Sequence, residues 1–370
     1  MRMFQFEIKK IFFNKRLLYL LLFLLIGIAL LFARNFAFQE SIMKEREQQI
    51  ISYIQQGQKI INQYQTTLVK DPNDENTKAL LVMMTSMVDT LYETRAAFIE
   101  NDWKQELEKE NQFLNDVLAF KAAGGDYALL NDTIQRTVAT NKQLLTSNIP
   151  PEAEGYSIAV PNYLKQVVDI LVNFGAIIII LIVIGDMLTV EFEQRSINFL
   201  YTQPLKKSTI IHSKFWSAVV VYGLVIFCGL ATAFGISAMF GKQGTFLYPL
   251  LVEQGDQLNF LTISEYLFFA LTSTTVIALF VIALCLLVSL IFKHSIATLL
   301  IITVILIGGY LLLGQLTFPS KEWLNPFQYV FTKETIMSVG HDWYKGIAIT
   351  LFLALLCYLL AILRMRFIRV

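Results

Sequence analysis

Residues 189–214, TVEFEQRSINFLYTQPLKKSTIIHSK, form the one sizeable polar segment between long apolar runs in the C-terminal half of the chain. Glu191 and Glu193 sit two positions apart, followed by Arg195, Lys206, Lys207 and Lys214. Side chains of these types offer charge pairing with a second surface rather than bond-making. The basic residues place the segment on the cytoplasmic side of a membrane, where Lys and Arg accumulate beside membrane spans. It is the segment best placed to meet a second surface.

Catalytic constellations are missing from the sequence. There is no G-x-x-x-x-G-K-[S/T] loop to cradle nucleotide phosphates; Gly308, Gly309 and Gly314 have no following Lys-Ser/Thr. There is also no HExxH, CxxC or GxSxG, so no nucleophile–base pair or metal site is expected. Cys228, Cys285 and Cys357 all lie inside apolar runs, where free cysteine behaves as a small hydrophobe. His212, His294 and His341 are scattered. Basic residues trace the edges of apolar runs instead of an aromatic-interleaved stripe, which disfavours nucleic acid as a partner.

The elements that must position the polar segment are set by hydropathy. The 370-residue chain is 55% hydrophobic and only 16% charged, against about 25% charged in soluble domains. Its apolar residues are gathered into runs near spanning length. The expected fold is an all-α polytopic membrane protein with six transmembrane helices and an extracytoplasmic α-helical domain inserted between the first two.

Residues 1–16 read as a cytoplasmic amphipathic helix, with Phe4, Ile8, Ile11 and Phe12 at helical spacing and lysines near anionic head groups. The spans are expected at 17–33, 167–190, 213–240, 263–292, 295–314 and 346–363. The first is an uncleaved anchor, since its apolar run exceeds that of a signal peptide. Asp186, near the inner end of the second span, either lines a translocation path, pairs with a neighbouring helix or reaches the interface. The fourth span is long enough to tilt or to begin outside the bilayer, at Glu265.

Residues 34–165 are polar, with Asp and Glu outnumbering Lys and Arg. Apolar residues recur at helical spacing: Ile54, Ile61, Tyr64, Leu68; Leu80, Met84, Met87, Leu91; Phe113, Val117, Phe120; Ile134, Val138. Breaks fall at Asp71-Pro72-Asn73-Asp74, Gly124-Gly125 and Pro150-Pro151. Three or four amphipathic helices forming a bundle follow from this, with Asp74 capping the second. Residues 241–262 read as an outer loop. The aromatic-rich stretch 315–345, with Trp323, Phe327, Tyr329, Trp343 and Tyr344, reads as extracytoplasmic interfacial helices at head-group level. Residues 364–370 form a cytoplasmic tail. The two short outer segments carry only Lys242, Lys321, Lys333 and Lys345, whereas Arg364, Arg366 and Arg369 close the chain inside. An even number of spans with both termini cytoplasmic satisfies this bias.

Several short runs, in this order and membrane placement, resemble the ABC-2 type transporter permease family. They are Phe6-Glu7-Ile8-Lys9-Lys10 before span one, Glu191-Phe192-Glu193-Gln194-Arg195-Ser196 after span two, and Leu200-Tyr201-Thr202-Gln203-Pro204-Leu205. Lys214 and Leu324-Asn325-Pro326-Phe327-Gln328-Tyr329 complete the set. The family usually carries an E-x-E-x-G-T-like run; here Arg195-Ser196 stand where Gly-Thr is common.

The resemblance implies an exporter permease working with a second permease copy and a separate ABC ATPase, which holds the ATP and Mg2+; this chain has no cofactor and is not an enzyme. It further implies that the helix after span two docks in the ATPase, through Glu191, Phe192, Glu193, Arg195, Phe199 and Leu200. Residues 191–203 would form a lever of about 20 Å, ended by Pro204. The cargo would be amphipathic or hydrophobic, a peptide, toxin or antibiotic, crossing a bacterial plasma membrane. The alternatives are a membrane sensor or immunity protein binding an external peptide through the helical domain, and a scaffold that dimerises through it.

Overall fold

The computed structural model describes residues 2–202, 206–254, 257–316 and 324–367. Pro204, Asp256, Lys321, Trp323 and Arg369 lie outside them. The chain divides into two compact units: residues 34–157 with 247–251, and the remainder.

The chain enters through α1 (Arg2–Phe12) and the apolar α2 (Lys15–Ala37). Four helices then build the first unit: α3 (Gln39–Lys70), α4 (Glu75–Glu100), α5 (Trp103–Ala122) and α6 (Asn131–Ser147). Each helix has a stripe of apolar residues at helical spacing. Ile54, Leu80, Met84, Met87, Leu91, Phe113, Val117, Phe120, Ile134 and Val138 are buried together, and Ile61 and Tyr64 pack at the margin. Burial of such stripes, rather than helix propensity, stabilises a bundle. The ends have local causes. Asp74 accepts the Thr77 N–H at 3.0 Å, and Asp102 accepts from Lys104 and Gln105. Asn101 and Asn148 close their helices in the left-handed conformation. Gly57 allows α3 to approach α4, since a Cβ there would lie 2.5 Å from Val88 Cγ2.

A partly buried charge group sits in this bundle. Arg46 pairs with Glu106 at 3.1 Å and Glu110 at 2.8 Å. Burial holds the Glu106 carboxyl above its ordinary range, although Arg46 pulls the other way. A carboxyl whose folded pKa is raised contributes stability that is full below its unfolded value and lost as pH rises through the folded one. Protection of α3 and α5, read by hydrogen exchange on the full chain and corrected for intrinsic rate, is therefore expected to fall as pH rises from the ordinary carboxyl range. Glu106→Gln is expected to flatten that dependence, with Arg46 keeping Glu110; an unchanged slope would contradict it.

The second unit contains the other long apolar helices. α7 (Val160–Ile170) starts with Pro161 in its first turn, where no N–H is missed. A π turn, Leu171–Gly175, follows, with Asn173 at φ −80, ψ −122, and then α8 (Ala176–Ile184). The stretch that contains the expected second span, 167–190, is thus bent by 53°. Residues 160–165 belong to this broken helix and not to the polar domain, which ends at residue 157.

The polar segment folds as α9 (Thr189–Glu193) and α10 (Ile197–Thr202), separated by a turn at Arg195, φ 57. A single rod over 191–203 is therefore not formed: a left-handed residue cannot continue a right-handed helix. α11 (Lys207–Phe240) begins before the expected third span. β1 (Pro249–Gln254) and β2 (Gln257–Thr262) pair as two strands inside the expected outer loop, so the fold is not wholly α.

α12 (Ile263–Phe292) opens with a capping box, in which the Thr262 hydroxyl accepts the Glu265 N–H and Glu265 accepts the Thr262 N–H. Lys293, φ 56, ends it, and α13 (Ser295–Leu316) returns. A 3-10 turn (Gln328–Phe331), α14 (Thr332–Val339), a second 3-10 turn (Gly340–Gly346) and α15 (Ile347–Phe367) complete the unit. α12 is buried over most of its length against α7, α8, α11, α13 and α15. Among the described residues, five helices (α2, α11, α12, α13, α15) are long and apolar enough to cross a membrane, or six if the bent pair is one span.

Two of the aromatics before α15, Tyr329 and Trp343, are buried against protein: the Trp343 ring stacks on Phe269 at 4.7 Å, and the Tyr329 hydroxyl donates to the Trp343 carbonyl. Tyr344 is exposed. A buried ring with a satisfied polar tip packs more surface than one left in the head groups.

Candidate functional site

Three elements converge on a buried ion cluster. Met3, Glu7 and Ile11 follow one another at four-residue spacing on α1, and all three are buried. Glu191 comes from α9 and Lys214 from the second turn of α11. The Lys214 Nζ lies 2.7 Å from Glu191 Oε1 and 3.1 Å from Glu7 Oε1, and donates to the Met187 carbonyl at 3.3 Å. A second cation, Lys10, reaches the same Glu191 oxygen at 2.7 Å. Glu7 and Lys214 are wholly inaccessible and the Glu191 side chain is 4% exposed; Lys10 stays 42% exposed.

Two carboxylates thus face two ammonium groups, and the cluster is neutral by count. The Lys214–Glu7 contact is an ion pair by distance but falls short of hydrogen-bond geometry, and Glu191 Oε2 has no hydrogen-bond partner among the described residues. Such a group holds together as a set, because each ion removed from water depends chiefly on the others for its stabilisation.

The opposite side of α9 is also held. Glu193 Oε1 accepts the Ser295 N–H at 2.7 Å, at the N-terminus of α13, and lies 3.7 Å from His294 Nδ1. Thr189 and Ser295 hydroxyls are 2.9 Å apart, and Lys293 Nζ stands 5.6 Å above the Phe192 ring. α9 is therefore fastened to α1 and α11 through ions, and to the α12–α13 turn through a helix cap.

Beyond Arg195 the chain turns outward. Ile197 is buried, while Arg195, Asn198 and Phe199 are exposed, Phe199 by 70%. The side chain of Leu200 lies outside the described residues. The residues expected to meet a partner therefore separate: Glu191 faces inward, Phe192 and Glu193 brace α9, and Arg195 and Phe199 are presented. Asp186 forms an ion pair with Arg16 at the start of α2.

Reading the sequence missed the roles of Glu7, Lys10 and Arg16. The signal for Glu7 was its place in the Met3–Glu7–Ile11 register, one acid in an otherwise apolar row.

The chain matches the family model described as ABC-2 family transporter protein over residues 1–369. It belongs to the ABC-2 transporter family. The permease is accordingly a multi-pass membrane component that works with an ABC ATPase. No curated protein and no solved structure matches the chain. In this permease, the ion cluster joins the N-terminal helix to the segment that follows the bent α7–α8 pair.

Proposed function

We propose that this chain is the permease subunit of an ABC exporter, paired with a second permease copy and driven by a separate ATPase that binds ATP and Mg2+. Both termini and the α9–α10 segment face the cytoplasm, and residues 34–157 form a helical domain outside a bacterial plasma membrane. The cargo is an amphipathic or hydrophobic molecule, with a peptide, toxin or antibiotic as the favoured class. The observation that carries the reading is the division of labour around Arg195. α9 is fastened to three helices of the bundle, whereas α10 presents Phe199 and Asn198 outward. A motor pressing on α10 would load α9, and through it α1, α11 and α13.

The test uses Asn198→Cys, at an exposed position. A photo-crosslinker attached there is expected to capture the ATPase in inside-out vesicles, and an impermeant thiol label on intact cells is expected to leave the site untouched. Labelling on intact cells, or vesicle crosslinks that exclude an ATPase, would overturn the assignment.

A further inference from the structure

A cavity of about 190 Å³ opens beside the ion cluster, at the polar end of α2. Lys10, Asn14 and Arg16 line one side; Val183, Met187 and Val190 line the other, with Asp186 between. Its two cations are held in place but not consumed. Arg16 spends one donor on Asp186 and remains 59% exposed. A guanidinium has five donors in a fixed fork, which suits an oxyanion with several oxygens. Lys10 has three donors, one directed at Glu191. Two further exposed lysines, Lys9 and Lys15, adjoin Lys10 and Arg16 in the sequence.

Below the cavity the surface becomes apolar. Ile178 and Ile182 are about half exposed on α8 and lead to Asp186 at the same four-residue spacing. Leu18 and Leu22 are exposed at the start of α2. An anionic group at the top with hydrocarbon-compatible surface below matches a molecule with a charged head and acyl chains. We propose that this cavity is a specific site for the phosphate of an anionic phospholipid, held by Arg16 and Lys10, with its chains along Ile178 and Ile182.

The site has a built-in connection. Lys10 serves both the cavity and Glu191, so a head group drawing on Lys10 competes with the carboxylate of α9. Lipid occupancy and the state of the ion cluster are then linked, each changing the other by the same factor.

The test compares lipid retention by the full chain taken from bilayers of mixed phosphatidylglycerol and phosphatidylcholine, counted by native mass spectrometry. Wild type is expected to hold phosphatidylglycerol selectively. Arg16→Gln removes the fork. Asn14→Asp is the safer variant, because Asn14 Oδ1 accepts the Arg16 N–H at 3.0 Å and an aspartate keeps that bond while repelling phosphate. Retention by either variant is expected to drop about fivefold, the worth of one basic residue beside an anionic lipid. Excess inorganic phosphate is expected to leave the lipid in place. Equal retention by wild type and a folded Asn14→Asp protein would overturn the site, and release of the lipid by inorganic phosphate would assign the cavity to free phosphate instead.

Discussion

Lys214→Met is expected to destabilise the junction of α1, α9 and α11 by about 3–5 kcal/mol, the cost of stranding buried charges whose partner has been removed. Methionine fills much of the lysine volume, so the loss reflects charge rather than a cavity. Among the described residues, Glu7 would be left with no ion pair, and Glu191 would retain only Lys10. Thermal unfolding of the purified chain would register the change, and hydrogen exchange would locate it in α1 and α9. The neutralised triple variant Glu7→Gln, Glu191→Gln, Lys214→Met is expected to recover most of the loss, since a buried ion group replaced as a set leaves no stranded charge. A triple variant as unstable as the single one would show that the cluster is not held by charge balance.

Phe199→Ala is expected to weaken ATPase binding by about 2 kcal/mol, roughly thirtyfold, as for a buried aromatic anchor at an interface centre. Its ring is 70% exposed in the chain alone, so the unfolding midpoint should not move. Ile197→Ala, two residues past the break and buried, supplies the contrast: it should lower both stability and binding. Binding is measured by titrating purified ATPase against the permease in nanodiscs. Full affinity with Phe199→Ala would remove α10 as the contact.

What was legible in the sequence follows from how local the cause was. The limits of α12 were open to inspection because a long apolar run ends at Thr262 and Glu265 on one side and Lys293 on the other. The bundle stripes, from Leu80 to Val138, were legible because helical periodicity needs no partner to be recognised. The ion cluster was not. Glu7, Glu191 and Lys214 are far apart in the chain, and each alone looks like a flanking charge. The bend at Asn173 was hidden for a similar reason. Its side chain donates to Glu334 at 3.2 Å and accepts the Lys333 N–H at 3.1 Å. These contacts from α14 hold a backbone that the sequence Leu-Val-Asn-Phe-Gly does not itself demand. Likewise, aromatic density marked residues 315–345, but burial of Tyr329 and Trp343 depended on tertiary neighbours.

The left-handed turn at Arg195 has a consequence for how relatives can differ. The family run resembled by this segment usually has glycine there, which adopts that conformation without a Cβ clash. Arginine accepts a strain on the order of 1 kcal/mol at the same angle. In exchange, the exposed corner before α10 bears a permanent positive charge that a glycine would not supply. Under the docking role proposed for α10, the residue at this bend sets the charge that the ATPase meets, while the turn itself suits either glycine or arginine.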